Sequence, residues 1–360
     1  SVPYDRPNLS KDYLAGNAPE EWIPLRTPEF YEQHNIELIR GTTVDAIDAA
    51  KKVAKLSDGR EVKFDRLLLA TGSEPIRLKT VGADLPHVHY LRTLADSRSI
   101  IEAAKSAKTA VVIGASFIGL EVAASLIARG LSVNIVAPEK IPLERVLGPE
   151  LGKFVQKTHE AKGVTFHLSR TARDISVTGV ALDDGIRLPA DLVVIGAGVR
   201  PLVSLAESAG AAVNRGVVVD KYLETSVPGV FAAGDIARYP DPRTGAAVRI
   251  EHWAVAERQG QLAARNMIGM SEAFDSAPFF WSNHYDVGIG YVGHAEKWDA
   301  VRIAGDVGGG NCLVGYKSGE KTLAVASVNR DKASLEAEAL MEKSDWPGLD
   351  ALFKREESVS

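Results

Sequence analysis

The stretch that decides the fold is VVIGASFIGLEVAASLIARG, residues 111–130. Its order of strand, glycine-rich turn and helix presents the amide groups of a helix N-terminus to a pyrophosphate. Gly114 permits the tight turn, Ser116 stands where the backbone must approach closely, and Gly119 lets the helix pack on the strand. Ser116 replaces the middle glycine of the GxGxxG pattern, which a small residue can do. The stretch therefore predicts a nucleotide-binding site.

Strands and helices alternate on both sides of this stretch, which is typical of parallel sheets with helical crossovers. We predict strands at Thr109–Ile113 and Leu131–Ala137 around a helix at Ile118–Arg129, and an earlier strand at Val62–Thr71. From Pro278 onward, short apolar and aromatic runs separated by glycine favour antiparallel strands. The fold class is therefore α/β, with a domain boundary just before the antiparallel part.

Composition excludes several classes of function. The 360 residues carry 42 Lys and Arg against 47 Asp and Glu, a net charge of −5, so no electrostatic attraction to nucleic acid is expected. No run of about 20 uncharged apolar residues predicts a membrane span. Cys312 is the single cysteine, which rules out an intrachain disulfide, a redox cysteine pair and a cysteine-rich metal site. A cytoplasmic protein is expected, or a mitochondrial one if the source is eukaryotic.

The second strand of a dinucleotide-binding unit usually ends in an acid that binds the adenosine ribose. Here the strand ends in Ala137 and Pro138, and Glu139 comes only afterwards, followed by Lys140. Glu139 favours NAD, but NADP stays open.

Two further stretches are weak signals when each is taken alone. VFAAGDIAR, residues 230–238, is a strand ending in Gly-Asp, which can place Asp235 beside the hydroxyl groups of a polyol. LLLATGSEP, residues 67–75, is a strand ending in a turn of small residues that allows close approach of the backbone.

Together these stretches resemble the flavoprotein reductases that have two dinucleotide-binding domains. Four additional segments sharpen the resemblance to the ferredoxin-reductase family, in its branch of apoptosis-inducing-factor-like reductases that often carry a Rieske domain. They are YDRPNLSKDYLAG (4–16), YLRTLAD (90–96), RIEHW (249–253) and PFFWSNHYD (278–286). The resemblance covers essentially the whole chain.

The resemblance implies an FAD that takes hydride from NAD(P)H and passes electrons singly to a ferredoxin or a Rieske iron–sulfur protein. It places Lys11 beside the flavin ring and Glu121 facing it as the catalytic pair. A cation near the ring favours the reduced, anionic flavin, and the carboxylate can hold the lysine and position the nicotinamide.

The resemblance also implies a binding set for each cofactor. The residues expected to contact FAD are Arg6, Lys11, Val44, Ala70, Thr71, Gly72, Arg92, Asp235, Trp253 and Trp281. Those expected to contact NAD(P) are Gly114, Ser116, Phe117, Ile118, Gly119, Glu121, Glu139, Arg145 and Gly198. His252 and His284, next to the tryptophans, are interpreted as packing or surface residues.

The sequence differs from the family's relatives in its cysteine and in its first residues. Thiol-based relatives need reactive cysteines near the flavin, whereas Cys312 lies in the C-terminal part, so thiol chemistry is disfavoured. The family also begins with a strand, turn and helix that hold the FAD pyrophosphate, and the sequence starts after that unit. The expectation is therefore an incomplete FAD domain that holds its flavin weakly or not at all.

The resulting prediction is two Rossmann-like dinucleotide-binding domains and a C-terminal α+β domain. The FAD domain comprises residues 1–95 and 217–277, the NAD(P) domain 96–216, and the interface domain, which could form a homodimer, 278–360. Two alternatives stay open. One is a non-catalytic NAD(H)-binding signalling protein of the apoptosis-inducing-factor kind, and the other is an NAD(P)H:quinone or oxygen reductase.

Overall fold

The computed structural model describes residues 2–358. Over that range the helices α1 to α9 span Asp12–Ala15, Pro28–Gln33, Leu94–Ala104, Phe117–Ala128, Glu144–Ala161, Ser204–Ser208, Trp253–Met267, Asp331–Glu342 and Trp346–Glu357. The strands β1 to β23 span Val44–Asp48, Val53–Leu56, Glu61–Lys63, Leu67–Leu69, Ser73–Pro75, Val88–Tyr90, Thr109–Ile113, Ser132–Ala137, Thr165–Leu168, Ala172–Ser176, Gly179–Leu182, Arg187–Pro189, Leu192–Ile195, Val199–Pro201, Val217–Val218, Val230–Ala232, Ala237–Pro240, Ala247–Arg249, Phe279–His284, Val287–Gly293, Ala300–Asp306, Asn311–Ser318 and Lys321–Val328.

A five-stranded parallel sheet in the order β6-β13-β7-β8-β9 lies at the centre. Alternate residues of its strands enter two different cores, because successive side chains of a strand point to opposite faces. Val112 packs against helices α3 and α4, whereas Val111 packs against the antiparallel sheet β10-β11-β12. The strand at Thr109–Ile113 and the helix after it are confirmed, the helix beginning at Phe117. All carboxyl ends of the sheet meet at one edge, where the glycine-rich turn lies.

A separate core is formed by the chain segments that precede and follow the parallel-sheet unit. Strands β4 and β16 pair in parallel, and β15, β17 and β18 form a separate small sheet. The single strand predicted at Val62–Thr71 is wrong: Glu61–Lys63 belongs to the hairpin sheet of β1 to β3, and Leu67–Leu69 is a different strand. Both halves are apolar enough for a strand, and hydropathy alone does not reveal that the chain changes partner between them.

The N-terminal segment packs on the parallel-sheet unit. Leu9, Tyr13 and Leu14 are buried in the same core as Leu120 and Leu126 of α4. Burying each aliphatic side chain of this kind contributes about 1.5–3 kcal/mol, so the segment is held firmly on the helix. This packing brings the residues beside Lys11 to the N-terminal half of α4.

The C-terminal part is an antiparallel sheet in the order β19-β20-β23-β22-β21, covered by α8 and α9. The predicted change to antiparallel strands is confirmed, and so is the fold class as a whole. The edge strand β19 contacts α4, α5 and α7 and thereby connects this sheet to the other two parts. No helix within residues 2–358 is both long and apolar enough to cross a membrane.

Candidate functional site

The glycine-rich turn after β7 is built so tightly that side chains are excluded. Gly114 has φ 113°, and a Cβ there would lie 2.4 Å from the carbonyl oxygen of Gly196. A Cβ on Gly119 would lie 2.2 Å from the carbonyl oxygen of Gly114. Ser116 is the N-cap of α4, its hydroxyl oxygen accepting a hydrogen bond from the amide of Gly119 at 3.3 Å. The remaining amide groups of the first turn are thus left to a ligand.

A cleft opens in front of this turn, at the carboxyl edge of the parallel sheet. It is lined by Pro75, Ser116, Ile118, Gly119, Gly196 and Gly198 among others. Gly198 has φ 97°, a left-handed conformation that favours glycine. Ile118 is 38% exposed and Phe117 is half-buried, so the start of α4 offers apolar surface to the cleft. Four of the residues expected at the NAD(P) site therefore line one opening: Ser116, Ile118, Gly119 and Gly198.

The end of β8 carries an unpartnered acceptor. The Oε2 atom of Glu139 is buried and makes no hydrogen bond, although the Glu139 carbonyl accepts one from the amide of Ser169 at 2.9 Å. A buried carboxylate oxygen without a donor loses solvation with no compensation. The hydroxyl group of a ribose would supply that donor. Arg145, also expected to contact NAD(P), is exposed in the first turn of α5.

The centre of the site is a buried ion pair between the N-terminal segment and α4. Lys11 Nζ lies 3.0 Å from Glu121 Oε1, and the Glu121 side chain is 4% exposed. Ser10 donates a hydrogen bond to Glu121 Oε2 at 2.5 Å, and Ser282 of β19 donates one to Oε1 at 2.6 Å. The Glu121 carboxylate therefore contacts the side chains of Lys11, Ser10 and Ser282, and the Lys11 ammonium balances its charge.

A second charged group surrounds the turn after β4. Arg92 and Asp235 form a salt bridge of 2.6 Å, and a Cβ on Gly72 would meet the guanidinium groups of Arg92 and Arg6 at 3.3 and 3.7 Å. Partial burial and the nearby Arg92 lower the pKa of Arg6. The Arg92 Nε and Ser73 Oγ atoms are buried without partners. Two guanidinium groups, one carboxylate and unused donors fit an anionic, hydroxyl-bearing ligand, as the phosphate and polyol of a dinucleotide are.

Five residues of the expected FAD set lie outside the contacts described so far: Thr71, Ala70, Val44, Trp253 and Trp281. Thr71 donates its hydroxyl to the carbonyl of Leu202 at 2.6 Å, which ties the turn after β4 to the segment after β14. Ala70 is exposed beside it, and Val44 is an exposed residue at the start of β1.

Aromatic rings line the junction of α4, α7 and β19. Phe280 contacts Phe117 edge to face, with 4.9 Å between the ring centroids, and lies 4.5 Å from the ring of His252. Trp281 is on the other face of β19, stacked on Phe279 and 38% exposed. Trp253, half-buried, begins α7 directly after His252. The inner ring here is therefore Phe280, whereas Trp281 faces outward.

The single thiol is far from reactive. Cys312 is fully buried in β22, and burial raises its pKa to about 11. A thiol in this state is a poor nucleophile, which agrees with the expectation that thiol chemistry plays no part.

The structure brings the predicted residues Lys11 and Glu121 into contact, and beside them lie Ser10, Ser282 and Phe280, to which the sequence analysis assigns no role. Ser10 directly precedes Lys11 within RPNLSK, and the other two stand in PFFWSNHYD, so both stretches carry the family resemblance but do not indicate what those side chains contact.

Comparison with known proteins gives matches along most of the chain. The pyridine nucleotide-disulphide oxidoreductase model matches residues 1–260 and the reductase C-terminal model matches residues 279–358. Putidaredoxin reductase CamA of Pseudomonas putida is 38% identical over 341 residues, 91% of this chain and 80% of that protein. Apoptosis-inducing factor 3 of Mus musculus is 34% identical over 92% of this chain and 55% of that protein. A covalent putidaredoxin reductase–putidaredoxin complex has a TM-score of 0.91 at 36% identity, covering 95% of this chain and 85% of the solved one.

Proposed function

The chain belongs to the pyridine nucleotide-disulphide oxidoreductase family, and from this premise we propose that it is an FAD-dependent NAD(P)H reductase that passes single electrons to a ferredoxin-type or Rieske-type iron–sulfur protein. Similar proteins named as reductases of putidaredoxin and of a dioxygenase system's ferredoxin support the choice of partner. The observation that carries the proposal in this chain is the buried Lys11–Glu121 pair.

The residues present fit both cofactors. FAD, when bound, accepts a hydride from the nicotinamide and passes electrons on one at a time. Arg6, Arg92 and Asp235 would hold its phosphate and polyol parts beside Gly72, where the unpartnered donors lie. The N-terminus of α4 would hold the pyrophosphate of the nicotinamide cofactor. Glu139 would bind its adenosine ribose through the unpartnered oxygen, which favours NADH.

The Lys11–Glu121 pair places a positive and a negative charge in fixed positions where the N-terminal segment packs on α4. The ammonium group stabilises negative charge that arrives beside it, and the carboxylate keeps that ammonium in place. Hydrogen bonds from Ser10 and Ser282 hold the carboxylate in one orientation, so nothing has to reorganise when the charge arrives. Positioning of this kind is worth more in a buried site than in water, because the local dielectric is low.

The outward face of β19 is the proposed exit for electrons. Phe279 and Trp281 stack there, and Trp281 is 38% exposed, which offers an aromatic surface to a docked iron–sulfur protein. The domain limits and the homodimer predicted from the sequence, and a cytoplasmic location, remain part of the proposal.

Reduction of cytochrome c by NADH, with and without an added iron–sulfur protein, tests the function. We expect turnover of the flavin-loaded protein to depend on the iron–sulfur protein. Equal rates without it, or with a quinone or oxygen as the only working acceptor, would favour the quinone or oxygen reductase. Binding of NADH without turnover would favour the signalling role.

A further inference from the structure

A chain of hydrogen bonds leads from Glu121 away from the cleft. Ser282 Oγ, which contacts Glu121, lies 3.1 Å from His284 Nε2. The other ring nitrogen of His284, Nδ1, lies 3.2 Å from His159 Nε2. The remaining nitrogen of His159, Nδ1, lies 3.4 Å from the hydroxyl of Tyr285. Both ring nitrogens of each imidazole thus make a hydrogen bond within this chain. We name the chain the histidine relay (Ser282, His284, His159 and Tyr285).

The ionised carboxylate gives the relay a direction. Glu121 can only accept, so the single proton of the Ser282 hydroxyl points toward it. The Ser282 oxygen then accepts from His284 Nε2–H, which leaves His284 Nδ1 to accept from His159 Nε2–H. His159 Nδ1 accepts from the phenol of Tyr285. Every donor in the relay therefore points toward Glu121, and both rings carry their proton on Nε2.

Both rings are neutral, as this pattern requires. His284 and His159 are fully buried, and burial lowers the pKa of each to about 3, with Lys11 adding to the effect at His284 and His284 at His159. A neutral imidazole has one donor and one acceptor and can pass a proton through the ring, whereas a charged one has two donors. Burial raises the pKa of Tyr285 to about 12, so the phenol also keeps its proton.

The outer end reaches the surface in a strained turn. His284 pairs with Val287, so Tyr285 and Asp286 are the two residues that connect β19 to β20. Tyr285 has φ 60°, a conformation in which glycine is favoured at the first position of such a turn. The Tyr285 side chain itself is half-buried, between the buried His159 and the surface. A bulky phenol in a place suited to glycine indicates that the side chain is retained for something other than the turn.

We propose that the histidine relay carries protons between solvent and the Glu121 carboxylate. On the inward pass, an acid in solvent (hydronium or a buffer acid) gives a proton to the Tyr285 oxygen and leaves its conjugate base in solution, while the Tyr285 O–H proton moves to His159 Nδ1. The proton on His159 Nε2 moves to His284 Nδ1, the one on His284 Nε2 to Ser282 Oγ, and the Ser282 hydroxyl proton to Glu121 Oε1. Each relay group ends with the number of protons it began with, Glu121 gains one and no electron moves. The outward pass uses the same bonds in reverse.

The use of such a relay rests on the proposed function. A hydride adds one negative charge beside Lys11, and the ammonium, without moving, then also interacts with that charge and neutralises Glu121 less completely. A buried carboxylate that loses its counter-ion takes up a proton more readily. The relay supplies that proton and removes it again when the electrons leave, which keeps the buried site close to constant charge.

The first test needs no turnover. Nitrogen NMR of the purified protein with 15N-labelled histidine reports the protonated nitrogen of each ring, and His159→Gln and His284→Gln assign the signals. We expect both rings to be neutral at neutral pH, with the proton on Nε2. Opposite tautomers in the two rings would place either two lone pairs or two N–H groups against each other at their contact, and would overturn the relay whether or not the protein is a reductase.

The second test follows proton uptake with a pH indicator when the flavin-loaded protein is mixed with NADH without oxygen. We expect Ser282→Ala and His159→Ala to slow uptake by about tenfold or more, and imidazole in solution to restore the rate of the latter. Ser282→Thr keeps the hydroxyl and should slow uptake less than Ser282→Ala does. His167→Gln, a partly buried histidine bonded to Asn134 outside the relay, is the matched control. Uptake at the normal rate in both alanine variants, or bleaching of the flavin without uptake in the unchanged protein, would overturn the proposal.

Tyr285 separates a relay role from a structural one. Tyr285→Gly relieves the positive φ, which offsets part of the loss of the ring packed on His159, so the urea midpoint should change little while proton uptake slows as in the other variants. Tyr285→Phe keeps the ring and the strain and removes only the hydroxyl. Uptake at the normal rate in both variants would show that protons do not enter at Tyr285.

Discussion

Replacing Glu121 with glutamine is the perturbation whose cost the structure defines best. The amide has nearly the shape of the carboxylate but no charge, so Lys11 keeps its charge with the Pro7 carbonyl, 3.3 Å away, as its remaining partner. Breaking a buried ion pair from one side costs about 3–5 kcal/mol. Because the Lys11 side chain is 14% exposed, some hydration offsets this, and we expect the lower end. One of the two serine hydroxyls also faces an amide NH₂ in place of an acceptor, which costs about 1 kcal/mol.

Urea denaturation of the variant should therefore show a loss of about 3–4 kcal/mol. Replacing Lys11 with Met in the same chain removes the unpaired ammonium and should restore about 2 kcal/mol, which a double-mutant cycle measures. Glu102→Gln is the matched control, because its pair with Lys105 is on the surface of α3 and is worth less than about 1 kcal/mol.

The same variant should lose most of its rate of flavin reduction by NADH, since the ammonium is no longer held. A variant of Glu121 as stable as the control, or a double variant no better than the single one, would refute the reasoning that the pair is buried and coupled. Loss of stability with an unchanged rate of flavin reduction would refute the role of the pair in the reaction, but not its burial and coupling.

Three further predictions follow from single contacts. Gly119→Ala should lose about 1–3 kcal/mol in urea denaturation and weaken NADH binding, because its Cβ would lie 2.2 Å from a carbonyl oxygen, whereas Gly260→Ala in α7 meets nothing within 4 Å and should gain about 0.5–1 kcal/mol. The Cys312 thiol, with a pKa of about 11, should not react with a disulfide reagent at about pH 8 until the protein is unfolded; fast reaction in the native state would contradict its burial. His159 and His284 stay neutral in the folded protein down to about pH 3, whereas in the unfolded chain they gain protons below about pH 6.5. The free energy of unfolding should therefore fall as the pH drops below about 6.5, by up to about 1.4 kcal/mol per pH unit for each ring. Glutamine at either position should make this fall less steep.

The parts of this protein that the sequence predicts best are those with local causes. The positions of Gly114 and Gly119 follow from the spacing of one turn, and the structure leaves no room for a side chain at either. The Lys11–Glu121 pair joins two distant parts of the chain, yet it could be expected because each residue stands in a stretch that resembles a known family. Its geometry, with hydroxyls from Ser10 and Ser282, could not.

The parts that sequence reasoning missed depend on partners that lie far apart in the chain. His159 stands on a helix whose apolar pattern explains its burial, and nothing near it indicates His284, 125 residues later. The break between Glu61–Lys63 and Leu67–Leu69 is hidden for the same reason, since the two strands differ in the neighbours they pair with and not in hydropathy. Phe280 and Trp281 alternate on one strand, and only the packing of β19 on α4 determines which ring faces inward.

The central claim is that hydride enters beside the Lys11–Glu121 pair and that electrons leave singly to an iron–sulfur protein. An anaerobic titration of the flavin-loaded protein with NADH, and in parallel with NADPH, tests it at the flavin absorption bands. We predict that one equivalent of NADH bleaches the flavin and that two equivalents of oxidised iron–sulfur protein restore it, since a hydride carries two electrons. Absence of bleaching with both nucleotides, or a bleached flavin that no iron–sulfur protein reoxidises, would contradict the account.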